Sequence, residues 1–222
     1  MKTLNKIRHS HPAKSVPQKL AFSFLALLFG FGLGVFAKFL DGLTADQIPQ
    51  WLSFFDIRNF FGLPLPWVFT TLVLVLFSRT PLRAAINAFC FLAGMLLGYY
   101  LYCAVFAGFL PDWSCLSVWL VLTLISPLLA LICWYGRGTG SIAAVIAALI
   151  IAYFFLKAFT MNTDFSNFQI YGFPRYSFVP VVFLAAAVGV LWRKPLQTLF
   201  SVLLGAAFAY IYLLLPFHIP YL

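Results

Sequence analysis

Glutamate is missing altogether from this 222-residue sequence, and all five of its acids are aspartate. With 14 Lys and Arg, only 9% of the residues are charged, against about 25% in a typical soluble domain. A chain so poor in charge and 64% hydrophobic lacks the polar surface to coat a water-soluble globule. At a mean hydropathy of +1.00, an integral membrane protein is the class that fits.

Chemistry-bearing patterns are equally sparse. Cys90, Cys103, Cys115 and Cys133 sit in or beside apolar runs at unequal depths, with no CxxC or Cys/His spacing, and read as small packing residues. His9 and His11 near one terminus and His218 near the other cannot assemble a metal site or a triad. GxSxG, HExxH and a pair of intramembrane acids are all absent. GRGTGS at 136–141 lacks the GK[ST] ending of a phosphate-cradling loop and reads as a tight turn. No charge falls near the middle of an apolar run. Lys38 and Lys157 lie close enough to run ends to snorkel, and Asn87 is the most polar residue clearly inside one. An embedded proton relay therefore has no candidate. An enzyme, a metal and a cofactor are not expected.

What is present is apolar length. Seven stretches, near 20–40, 62–78, 82–109, 115–135, 141–159, 176–192 and 195–215, approach or exceed the roughly 20 helical residues that cross a hydrocarbon core. The expected fold is an all-α, polytopic helical bundle. Residues 1–19 form a basic tail and 20–222 a single transmembrane domain. Lys2, Lys6, Arg8, Lys14, Lys19, Arg79, Arg83, Arg137, Arg193 and Lys194 fall on one side. Lys38, Arg58, Lys157 and Arg175 fall on the other, with Asp41, Asp46, Asp56, Asp112 and Asp164. Positive residues mark the cytoplasmic face, which predicts a cytoplasmic N-terminus and an outer C-terminus. The net charge of +9 then faces anionic lipid headgroups, and nucleic acid is not an expected partner. Val35-Phe36-Ala37 before Lys38 resembles a signal-peptide cleavage site. The apolar run is long for a signal, and a retained first helix is expected.

Small residues four apart recur inside the runs: Gly30 and Gly34, Gly94 and Gly98, Ala144, Ala148 and Ala152, Gly205 and Ala209. Such stripes let helix backbones approach in lipid, either within the bundle or against a partner subunit or second copy. Gly32 makes the first run a candidate for the latter. Pro127, preceded by Ser126, kinks the fourth run and frees a carbonyl that needs a new partner. Beyond the first run, an Asp before each descending stretch (Asp56, Asp112, Asp164) and an Arg at each inner turn (Arg79, Arg137, Arg193) suggest three hairpins. The motifs Arg79-Thr80-Pro81-Leu82 and Arg193-Lys194-Pro195-Leu196 echo one another. The ordinary length of a membrane hairpin and the placement of positive charge on the inner side account for this pattern, with a true duplication as the alternative.

The most unusual segment runs from Asp41 to Pro66. If helical, it puts Trp51, Phe54, Phe55 and Arg58 on one face and Asp56 on another, so Asp56 and Arg58 need separate partners. The part near 44–61 is expected as an outer interfacial helix or as a re-entrant lid over the bundle mouth. Candidate outer-face binding or lid residues are Lys38, Trp51, Asp56, Arg58, Trp67, Asp164 and Arg175.

FDIRNFFGLPLPW at 55–67, followed by SRTPLRAA at 78–85, resembles a pattern in uncharacterised multispanning membrane proteins of Gram-positive bacteria. The resemblance implies a plasma-membrane location and no known activity. In size and in its small-residue first helix the chain is also similar to the substrate-binding membrane subunits of vitamin uptake systems. It differs from them in its seven stretches and in having GxxxG. The resulting expectation is small-molecule binding or permeation from the outer face. The alternative is an assembly factor acting through helix–helix contacts.

Overall fold

The computed structural model describes residues 7–10, 15–49, 60–161, 168–170 and 178–215. Each of the seven apolar stretches is helical: α1 Val16–Asp41, α2 Pro64–Phe77, α3 Pro81–Tyr102, α4 Trp113–Cys133, α5 Ser141–Ala158, α6 Phe178–Leu191 and α7 Pro195–Leu214. Five are long and apolar enough to cross a membrane: α1, α3 with its continuation to Ala107, α4 with its extension to Arg137, α5 and α7. The chain is therefore a helical membrane protein. α2 and α6 have 14 residues each, about 21 Å.

Proline sets the start of four helices. α1, α2, α3 and α7 carry Pro at the first or second position, where its missing N–H is not needed. This moves the first boundary. α1 begins at Val16 rather than 20, because Pro17 starts the helix inside the basic tail. The third stretch, expected to 109, leaves α geometry at Cys103, continues as a π-helical turn through Ala107, and stops at Gly108, whose φ of 72° is left-handed. One feature departs from an all-α chain. Phe159–Met161 (β1) and Phe168–Ile170 (β2) pair antiparallel, Thr160 opposite Gln169.

The chain divides into two compact units, Ser10–Trp134 and Met1–His9 with Tyr135–Leu222. In the first, α1 and α3 form the main contact and run parallel. Gly30 meets the backbone at Phe91, Gly34 meets Met95, and in return Gly94 meets Leu27 and Gly98 meets Phe31. A Cβ at any of the four would stand far inside contact distance of the facing carbonyl oxygen. Only glycine permits this approach, which points its Hα atoms at carbonyls in Cα–H···O fashion. Trp67 of α2 packs with Phe91, Met95, Ala26 and Ala37 in the core. α2 and α4 also pack against α3.

The second unit repeats the parallel arrangement with other residues. α5 and α7 are its principal pair, and α6 lies mainly against α5. Ser201 Oγ donates to Ala144 O at 3.1 Å, and a Cβ on Gly205 would stand 2.8 Å from Ala148 O. Ala144, Ala148, Ala152 and Ala209 are buried. All four small-residue stripes are thus used inside the units. Gly32, with nothing within 4 Å of its Cβ direction, is left facing outward.

Candidate functional site

Of the seven residues expected at an outer site, the structure describes Lys38 and Trp67. Trp51, Asp56, Arg58, Asp164 and Arg175 lie outside the described residues, as does the choice between lid and interfacial helix for 50–59. Thr44–Gln47 precedes that stretch as a 3-10 turn closed by a capping box.

Lys38 stands in the last turn of α1. Its Nζ donates to Asp41 Oδ2 at 2.5 Å and lies over two rings, 5.5 Å from the Tyr99 centroid and 5.2 Å from that of Phe109. The side chain of Lys38 is only 11% exposed, whereas that of Asp41 is 46% exposed. An ammonium so placed gains cation–π attraction of about 1–2 kcal/mol where water is displaced. The left-handed Gly108 ends the π turn just before Phe109, and π turns concentrate at functional positions. One residue along α3, the Tyr100 hydroxyl is buried with no hydrogen-bond partner among the described residues. This end of the first unit therefore brings together an ammonium, a half-exposed carboxylate and two aromatic rings.

Trp67 has a different place. It is 3% exposed, its Nε1 donates to Phe61 O at 2.6 Å, and its ring meets Phe61 and Phe91. It fixes the entry of α2 against the core rather than facing a ligand. Tyr99, Phe109 and Asp41 were not singled out as a set by sequence. The i, i+3 spacing of Lys38 and Asp41 was the available signal. The aromatic neighbours come from α3 and the loop after it, which sequence spacing does not connect to α1.

The opposite end of the unit is tied by a polar lattice. Arg83 Nη2 donates to Lys19 O and, at 2.6 Å, to Ser23 Oγ. Ser23 donates to Asn87 Oδ1 at 3.0 Å, and Asn87 Nδ2 donates to Ser78 Oγ at 3.2 Å. Trp134 Nε1 donates to Ser78 O at 2.7 Å. This lattice joins α1, α3 and the ends of α2 and α4, and gives Asn87 both donor and acceptor partners. It is structural chemistry, since each group is consumed by another.

In the second unit, a cavity lined by Gly136, Ile151, Leu191, Gln197, Thr198 and Ser201 encloses about 10 Å³, space for one water. No group of three or more His, Cys, Asp or Glu that could hold a metal occurs among the described residues. No protein-family model, curated protein or solved structure matches the chain.

Proposed function

We propose that the chain is a seven-crossing protein of the cell membrane, N-terminus inside and C-terminus outside, that binds a small molecule at the outer end of its first unit. The crossing count is supported by the parallel pairs. If α1 and α3 run the same way, residues 42–80 must carry the chain back from one end to the other. Phe61 beside Phe36 and Ser78 beside Asn87 mark the two ends of that return, and α2 makes it. α6 has the same task between parallel α5 and α7. Orientation rests on the ten-to-four division of Lys and Arg.

The observation that carries the binding reading is the asymmetry of Lys38 and Asp41. The ammonium is held over two rings, while its carboxylate partner remains accessible for exchange with, or addition of, a ligand's polar group. The alternative, an assembly factor working through small-residue faces, has lost most of its available surface to contacts within the units.

Native mass spectrometry of the protein released from mild detergent tests this reading. A bound small-molecule mass is expected on the wild type and on Lys157→Gln, and at least about tenfold reduced occupancy on Lys38→Gln, the loss of one charge-assisted contact. Equal occupancy in Lys38→Gln, or no bound mass on any form, contradicts the proposal.

A further inference from the structure

The charges at the end of α1 constrain the class of ligand they can take. Lys38 Nζ and Asp41 Oδ2 are in contact at 2.5 Å, one turn apart on the same helix, and their charges cancel. Among the described residues, this is the one hydrogen bond that either group makes through its side chain. An ammonium has three donors and a carboxylate two acceptor oxygens. Further donors on Lys38 and the Oδ1 atom of Asp41 therefore remain for another partner.

The surroundings hold the pair in place and add no charge to it. Tyr99 comes from α3, and Phe109 from the loop after it, where Phe109 N donates to Cys103 O at 3.4 Å across the π turn. The electrostatic neighbours of Lys38 are Asp41, Tyr99 and Cys103, and a phenol and a thiol are uncharged at pH 7. The net charge of the site is zero. A bound cation would leave one positive charge uncompensated beside the rings, and a bound anion one negative charge. Both are costly where the Lys38 side chain is only 11% exposed. A ligand that carries both signs leaves the balance at zero. Its carboxylate meets Lys38 and its ammonium meets Asp41, so that four charges alternate.

We infer that the ligand is a short zwitterion of the α-amino acid type, with its apolar part against the half-exposed ring of Phe109. This rests on the binding reading above and adds the ligand's chemical class. The length follows from the ion pair. Two protein charges in direct contact are matched by two ligand charges carried on one carbon atom. A ligand with widely spaced charges meets only one of them.

Thermal unfolding of the full-length protein in a neutral detergent at pH 7 tests the inference with three probes that share one apolar body. Phenylalanine is the zwitterion, phenethylamine the cation and 3-phenylpropionate the anion. A saturable rise in midpoint is expected with phenylalanine, at a half-saturation at least about tenfold lower than with either of the others. A fourth probe, 6-aminohexanoate, carries both charges far apart and should fall with the weaker group. Two variants should reorder the probes. Lys38→Gln keeps Asp41 and should favour phenethylamine, whereas Asp41→Asn keeps Lys38 and should favour 3-phenylpropionate. Variants that lower the midpoint without reordering the probes overturn the inference, because a purely structural ion pair does the same. If either variant fails to fold, the wild-type ranking decides alone. A wild type that takes phenethylamine or 3-phenylpropionate as well as phenylalanine overturns the zwitterion and leaves the site standing, since the site itself is judged by the bound mass described above. No saturable rise with any probe also overturns the inference.

Discussion

Pro127 shows how one residue's disruption is contained by its neighbour. Proline at 127 removes the N–H that would have bonded to the carbonyl of Thr123, four residues back. In a lipid-facing helix an orphaned carbonyl is costly. The hydroxyl of Ser126 donates to that same Thr123 oxygen at 2.8 Å, and Thr123 in turn donates to Trp119 O at 2.8 Å. α4 therefore stays continuous from Trp113 to Cys133. Ser126→Ala is expected to destabilise the protein by about 1 kcal/mol. In a Pro127→Ala background, where the backbone N–H returns, the same substitution should have close to no effect. A double-mutant cycle read by thermal unfolding checks this, and equal costs in both backgrounds would refute the assignment.

Helix pairs are held by interlocking backbones, and here the direction of legibility can be traced. The stripes at Gly30/Gly34, Gly94/Gly98, Ala144/Ala148 and Gly205/Ala209 were readable from four-residue spacing, as were all seven helices from apolar length. Which stripe meets which was not readable. Spacing on one helix carries no information about its neighbour, and the parallel pairing of α1 with α3 and of α5 with α7 emerges only from their contacts. The same limit applies to Lys38. Its place near a run end was evident, but its surroundings of Tyr99 and Phe109 were not. Gly94→Ala is expected to cost about 1–3 kcal/mol, because the new methyl group must push the Leu27 backbone away. Gly32→Ala, with open space around it, should be neutral or slightly stabilising through helix propensity. Unfolding midpoints of the two variants in one detergent give the comparison. Equal losses would mean that α1 and α3 do not pack this way in the membrane.

At the scale of the molecule, the assignment of the proposed Lys38 site to the outer face depends on the chain crossing seven times with its N-terminus inside. The two 14-residue helices carry the weight of that claim. If α6 failed to cross, the end of α5 and the start of α7 would share a side. Cysteine accessibility to a membrane-impermeant maleimide in intact cells measures this directly. The background has Cys90, Cys103 and Cys133 replaced by alanine. One form retains the exposed Cys115. In three others Cys115 is also replaced, and each carries one of Thr139→Cys, Phe159→Cys or Lys194→Cys. The account predicts labelling of Cys115 and of the Phe159→Cys form in intact cells, and of the Thr139→Cys and Lys194→Cys forms only after permeabilisation. Labelling of Thr139→Cys or Lys194→Cys from outside intact cells would contradict it.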